Sequence, residues 1–220
     1  LWNLTDTTST YNERYKNPQL IENGKMKKYE NSEYGPELFV KFIKSFITRK
    51  KDVPFLVYYP MVLSHRPFVP TPGNGKVYQD FKVVPKGGTG GSPSNNSFFK
   101  DEMSYLDKNV GAIIDKVNEL GLAENTLILF TGDNGTGVGI SSTMKDGRII
   151  PGMKGHTNEY GNHVPLVAYW KGKIKPGQVT DNLIDFSDFL PTMVEVANID
   201  LPYDFVTDGK SFLPLIMGNK

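Results

Sequence analysis

The chain has 220 residues, a net charge of +1, 38% hydrophobic residues and no cysteine. Such a length supports a large core, in one domain or in one domain lacking a lobe. Charge scattered without a basic stripe gives no sign of nucleic-acid binding, no apolar run approaches the roughly 18 residues of a membrane span, and the missing cysteine excludes disulfides, thiolate metal sites and a cysteine nucleophile within the chain.

Residues 1–34 are polar, aromatic and irregular, with Trp2, Tyr11, Tyr15 and Tyr29 among Asn, Lys and Glu, and read as a surface excursion. Gly35-Pro36-Glu37-Leu38 then opens a predicted helix, because proline and an acidic residue suit a first turn. Leu38, Phe39, Phe42, Ile43, Phe46 and Ile47 recur at helical spacing, with Lys41, Lys44, Arg49, Lys50 and Lys51 on the other face and at the end. Asp52-Val53-Pro54 ends it, and Phe55-Leu56-Val57-Tyr58-Tyr59 reads as a buried strand.

Immediately beyond that strand stand His65 and Arg66. Taken singly, His65 is as readily a histidine bonding a loop carbonyl as a functional one. Residues 69–97, rich in Pro, Gly, Ser and Asn, form a long loop of the kind that is usually functional or disordered. Residues 98–120 predict a second amphipathic helix with Met103, Leu106, Val110, Ile113, Ile114, Val117 and Leu120 on its apolar face and Gly121 as its stop.

The run TLILFTGDNG at 126–135 follows. Its apolar part does not alternate, as in a strand buried on both faces of a parallel sheet. Gly132 permits a sharp turn, and Asp133 and Asn134 then place two hard oxygen donors side by side. In an open α/β sheet, ligands gather beyond the carboxyl ends of the strands, where this pair would stand; Asp-Asn-Gly is equally an ordinary turn sequence. Residues 136–155 are rich in Gly, Ser and charge and end in Gly152-Met153-Lys154-Gly155-His156. Residues 164–170 predict a third strand, and 184–197 a further helix with Ser187 or Asp188 as its cap and Leu190, Met193, Val194 and Ala197 facing inward. The tail from Asp200 is irregular, anchored by Phe212, Leu213, Leu215 and Ile216. The order strand, long loop, helix, strand is that of a right-handed crossover, so the expected architecture is α/β, a mostly parallel central sheet flanked by helices.

Loops following predicted strands thus offer His65, Asp133 with Asn134, and Lys154. Together they form part of a hard-cation site beside a fixed cation and a proton donor. That set suits an anionic tetrahedral group such as sulfate or phosphate, whose charge a metal and lysine oppose while a histidine protonates a leaving oxygen.

With these residues in view the chain resembles the sulfatase family, within the alkaline-phosphatase-like superfamily. The resemblance covers nearly the whole chain from about Gly35, with four motifs in the family's order: Pro54 to Tyr59 leading to His65-Arg66-Pro67-Phe68; Leu129-Phe130-Thr131-Gly132-Asp133-Asn134-Gly135; Lys154-Gly155-His156 through Val164-Pro165; and Asp185-Phe186-Ser187-Asp188-Phe189-Leu190-Pro191-Thr192. It implies that Asp133 and Asn134 bind Ca²⁺, that Lys154 holds a sulfate oxygen, and that His65 contacts sulfate and assists the leaving alcohol. It departs from the family at Tyr160, where Gly is frequent, and at His163, where Arg is frequent. The family's formylglycine arises from a Cys/Ser-x-Pro-x-Arg motif that is absent here, as are two further acidic calcium ligands. The chain is therefore expected to be an internal, incomplete piece of a sulfatase catalytic domain, inactive by itself, from a parent that hydrolyses aryl or carbohydrate sulfate esters in a periplasmic, secreted or lysosomal setting.

Two other readings stay open. A phosphoesterase of the same superfamily would use Zn²⁺ or Mn²⁺ with additional His and Asp ligands, against which stand the lysine loop and the presence of three histidines in all. A non-catalytic module binding sulfated glycans would use Trp2, Tyr11 and Tyr15 to stack on sugar rings.

Overall fold

The computed structural model describes residues 15–66, 68–73 and 96–218. The chain divides into two compact units, one formed by 1–121 with 132–164 and the other by 122–131 with 165–220.

In the first unit, residues expected to be an irregular excursion form a hairpin, β1 (Gln19–Glu22) paired antiparallel with β2 (Lys25–Lys28). Asn23 and Gly24 make the turn, both at positive φ (51° and 77°), the conformation that suits a two-residue hairpin loop. Tyr15 is fully buried and Tyr34 nearly so. Their rings stack at 6.0 Å, and Tyr105 meets Tyr34 edge-on at 5.2 Å.

Helix α1 (Gly35–Lys50) carries Pro36 in its first turn as anticipated and buries Val40, Ile43 and Ile47, while Phe42 is exposed. Helix α2 (Phe99–Glu119) stops at Gly121, which takes a left-handed φ of 70°. Its buried stripe is more polar than expected: Glu102 and Asn109 lie beside Tyr105, Leu106 and Val117, and Met103 faces out. The polar members have local work. Glu102 Oε1 accepts the Val69 amide at 2.8 Å, and Asp101 Oδ2 accepts both the amide and the hydroxyl of Thr71 at 2.9 Å, fastening 68–73 to the helix. The Tyr105 hydroxyl donates to Glu37 of α1, and burial together with that carboxylate holds its pKa well above the usual phenol range.

Residues 55–59 are extended, but no described strand pairs with them. Phe55, Val57 and Tyr59 turn inward, while Leu56 (73%) and Tyr58 (87%) are exposed. The expected two-sided burial is therefore absent among the described residues, and burial of one face raises the Tyr59 pKa to about 12. Residues 74–95, most of the expected long loop, lie outside the described residues.

The second unit pairs β3 (Ile128–Thr131) with β6 (Leu166–Tyr169). The pairing is antiparallel, with Ile128 opposite Tyr169 and Thr131 opposite Leu166. All three sheets among the described residues are antiparallel pairs, so they do not show the expected mostly parallel arrangement. The reason lies in what the signal encodes. An uninterrupted apolar run reports burial on both faces and carries no strand direction, and a connection as long as 132–165 permits either sense.

Helix α4 (Phe189–Ala197) is entered through a 3₁₀ turn at Phe186–Asp188. Asp188 is the N-cap residue of α4, one of the two expected, and makes no side-chain cap bond there; side-chain capping falls on the 3₁₀ turn before it, where Asp185 Oδ1 accepts the Ser187 amide at 2.7 Å and Asp188 Oδ2 accepts the Asp185 amide at 3.0 Å. The Ser187 bonds hold the Asp185 carboxyl below the usual carboxylate range. Ala197 and Leu190, expected inward, are exposed; the fully buried residue of α4 is Thr192. Its hydroxyl donates to Asp188 O at 2.7 Å and accepts the Phe212 amide at 3.0 Å, docking the tail ahead of α5 (Leu213–Ile216). Thr192→Val keeps the shape and strands both partners, so it is expected to cost about 1–3 kcal/mol. Urea unfolding should show a lowered midpoint for Thr192→Val and a near-normal one for Thr192→Ser; equal midpoints would show that the bonds contribute nothing.

Candidate active site

The chain leaving β3 turns at Gly132 into Asp133 and Asn134. The two side chains converge, with Asn134 Nδ2 2.5 Å from Asp133 Oδ2, and Asp133 is exposed. From Gly135 the backbone is bound to the loop that carries Lys154. Gly135 N donates to Gly161 O at 2.8 Å, and Lys154 N donates to Thr136 O at 3.0 Å. Contact is close enough that side chains are excluded: a Cβ on Gly135 would overlap the Tyr160 carbonyl oxygen, and one on Gly152 would overlap the carbonyl oxygen of Gly137.

The Lys154 loop is itself well braced. Helix α3 (Glu159–Asn162) is capped by Asn158, whose side-chain oxygen accepts the Gly161 amide at 3.0 Å. His156 Nδ1 lies 3.2 Å from Met153 O, and His163 lies 3.5 Å from Glu159 on the surface. Between Thr136 and Lys154 the chain projects an exposed hairpin, β4 (Ser141–Thr143) with β5 (Ile149–Pro151). At its tip Arg148 Nε pairs with Asp146 at 2.6 Å and holds that carboxyl below the usual range.

The third segment carries His65. Tyr15, from the stretch assigned to sugar stacking, instead donates its hydroxyl to His65 O at 2.5 Å and Val62 O at 3.2 Å from a fully buried position. Its ring is therefore shut off from a saccharide, which corrects that assignment; Trp2 and Tyr11 lie outside the described residues. His65 Nδ1 is 2.8 Å from Arg66 O, and the Arg66 guanidinium donates to Val138 O at 2.5 Å, in the turn that follows Asp133-Asn134-Gly135-Thr136. Phe68, Phe98 and Ile140 make the apolar core beneath these contacts. The loops of His65, Asp133-Asn134 and Lys154 are thus joined within one unit by side-chain and backbone bonds. Arg66 and Tyr15 were visible in the sequence, but not the bonds they make to Val138 O and His65 O. The adjacency of Arg66 to His65 was visible, but its partner lies 72 residues away.

A carboxylate and a side-chain amide carry the hard oxygens that suit Ca²⁺, which takes six to eight oxygen ligands; here the Asn134 amide nitrogen faces Asp133 Oδ2. Among the described residues no three His, Cys, Asp or Glu gather as a metal site, and Asp133 with Asn134 offers two side chains where such a shell needs more. No helix among the described residues is long and apolar enough to cross a membrane.

The sulfatase family model matches residues 2–199, covering the His65, Asp133-Asn134 and Lys154 loops in one span. The chain belongs to the sulfatase family. The sulfatase chain is 31% identical over 169 residues to the uncharacterized sulfatase YdeN of Escherichia coli (strain K12), covering 77% of this chain and 28% of that protein. To human arylsulfatase A it is 32% identical over 175 residues, covering 77% and 30%. It therefore spans under a third of these relatives. Among solved structures, Ps i-CgsB in complex with k-i-k-neocarrahexaose superposes with a TM-score of 0.67 at 21% identity, over 90% of this sulfatase chain and 41% of the neighbour, a likeness of fold.

Proposed function

We propose that this chain is part of a sulfuric ester hydrolase that releases sulfate from an aryl or carbohydrate sulfate ester, with Asp133 and Asn134 holding part of a Ca²⁺ shell. The observation that supports the reading is the backbone bonding of the segment carrying Lys154 to the segment carrying Asp133 and Asn134, Lys154 N to Thr136 O and Gly135 N to Gly161 O. Lys154 binds a sulfate oxygen and neutralises charge there. His65 delivers a proton to the leaving oxygen. Ca²⁺, when bound, supplies positive charge opposite the charge developing on sulfate. The nucleophile, a formylglycine, is expected from residues outside these 220, so the chain by itself is expected to be inactive. The carbohydrate option draws support from the fold neighbour crystallised with k-i-k-neocarrahexaose. A periplasmic, secreted or lysosomal setting is part of the same proposal, as is a sulfated saccharide as partner.

The test uses the full-length enzyme. Asp133→Ala is expected to weaken Ca²⁺ binding by calorimetry at least tenfold and to depress sulfate release, both partly restored by millimolar Ca²⁺. Unchanged Ca²⁺ affinity would remove Asp133 from the metal site. Two transition-metal ions per molecule in the purified protein, with phosphate esters turned over faster than sulfate esters, would favour the phosphoesterase reading instead.

A further inference from the structure

Arg66 lies next to His65 in sequence, and its side chain spans to a different segment of the same unit. Nη2 donates to Val138 O at 2.5 Å, and the guanidinium carbon stands 5.5 Å from the Phe68 ring centroid. The plane lies close over the turn at 137–139: a Cβ added to Gly139 would sit 3.4 Å from Nη2, and one added to Gly137 would sit 3.6 Å from Nε. Asn96 Nδ2 takes the next carbonyl, Gly139 O, at 2.8 Å. The turn closes on itself through Ile140 N to Gly137 O at 3.2 Å, and one residue before it Thr136 O receives the Lys154 amide. On the other side of Arg66, its own carbonyl oxygen lies 2.8 Å from His65 Nδ1. One residue therefore meets the imidazole through its main chain and, through its side chain, the turn that follows the Asp133–Lys154 junction.

We propose that Arg66 is a positioning residue that fixes His65 Nε2 relative to Asp133, Asn134 and Lys154. The proposal rests on the sulfatase reading, in which His65 protonates the leaving oxygen. With Nδ1 directed at the Arg66 carbonyl, Nε2 of the imidazolium delivers the proton as the sulfuryl group passes to the oxygen of the formylglycine nucleophile, and the S–O bond to the leaving oxygen breaks with its electron pair leaving on the alcohol; the neutral imidazole regains a proton from water. A planar guanidinium bonded at one edge and stacked over a ring fixes direction as well as distance, which a lysine ammonium does only in part. Small misplacements of a catalytic group cost on the order of 100-fold in rate.

Leaving-group dependence separates this role from a stabilising one. 4-Nitrophenyl sulfate expels a weakly basic phenolate that needs little protonation, whereas an alkyl or sugar sulfate expels a basic alkoxide that needs it. In the full-length enzyme, His65→Ala and Arg66→Ala are both expected to lower kcat/KM on an alkyl sulfate, by about 10²–10³-fold and about 10–100-fold. Each should lose far less on 4-nitrophenyl sulfate. The double variant should be no slower than His65→Ala alone, since the two changes act on one step, and Arg66→Lys should recover part of the loss. Equal losses of Arg66→Ala on both substrates, or a double variant whose losses multiply, would overturn the proposal while leaving the sulfatase reading intact. If the wild-type enzyme releases no sulfate from either ester, the sulfatase reading fails and the role of Arg66 falls with it.

Discussion

Lys154→Ala in the full-length enzyme is expected to lower kcat for sulfate release about 10²–10³-fold, the loss typical when one fixed donor to a developing anion is removed. Lys154 sits one residue after Met153 and two after Gly152, in a segment held by backbone bonds from Gly152 N to Ile140 O at 2.7 Å and from Lys154 N to Thr136 O at 3.0 Å. These bonds involve no Lys154 side-chain atom, so truncation removes the ammonium and leaves the loop in place. Thermal unfolding should accordingly stay within about a degree of wild type, as for a surface substitution away from any cap or core. Lys154 is exposed, which leaves its charge available to a substrate. The same variant should lose affinity for inorganic sulfate as a competitive inhibitor. Sulfate release within about twofold of wild type, from a folded variant, would remove Lys154 from the site and with it the strongest feature separating the sulfatase reading from its phosphoesterase alternative.

A comparable loss is expected from a residue with no functional group at all. In Gly135→Ala, the added methyl would overlap the Tyr160 carbonyl oxygen and stand 2.9 Å from the Tyr160 carbonyl carbon and 3.0 Å from Gly161 Cα. These are backbone atoms of a braced helical turn, so they do not swing aside as a side-chain end would. Gly161 cannot retreat freely, because it packs in turn against the carbonyl oxygens of His156 and Met153. The Asp133 loop and the Lys154 loop must therefore separate, breaking Gly135 N to Gly161 O. Sulfate release is expected to fall about 100-fold, as for other displacements near one ångström, and stability by about 1–3 kcal/mol, as for overpacking. Gly111→Ala in α2 is the matched control: nothing lies within 4 Å of the added methyl, and alanine is favoured over glycine in a helix by up to about 1 kcal/mol. Kinetics on both variants, with limited proteolysis of the 136–160 region, decide the matter. Wild-type turnover by Gly135→Ala would show that close apposition of the two loops is dispensable.

What could be read before the fold was known follows a pattern. Helix α1 and helix α2 were legible because apolar spacing, Pro36 and Gly121 are local signals on contiguous residues. The Asn23-Gly24 turn was equally local and went unread, and so the β1–β2 hairpin was taken as irregular chain. The buried Glu102 and Asn109 escaped because an amphipathic pattern is scored on hydrophobicity, whereas Glu102 is buried to receive the Val69 amide from another segment. The antiparallel sense of the β3–β6 pairing was not legible, since strand direction is set by the partner and its connection, neither of which an apolar run specifies.

The sequence by itself determined the family to which the chain belongs and supplied the candidate set, His65, Asp133, Asn134 and Lys154. Residue type and order along the chain are sufficient for that, because proton donors, hard oxygen ligands and cations are properties of side chains. Only the tertiary structure decided how the set is held. Tyr15 became a strut under His65 instead of a sugar platform, Arg66 became the tie between His65 and the turn at Val138, and Gly135 and Gly161 became the contact between two loops. Those roles depend on backbone carbonyls from distant segments, which every residue carries alike and which no pattern of side chains reveals until the chain has brought them within 3 Å of a donor.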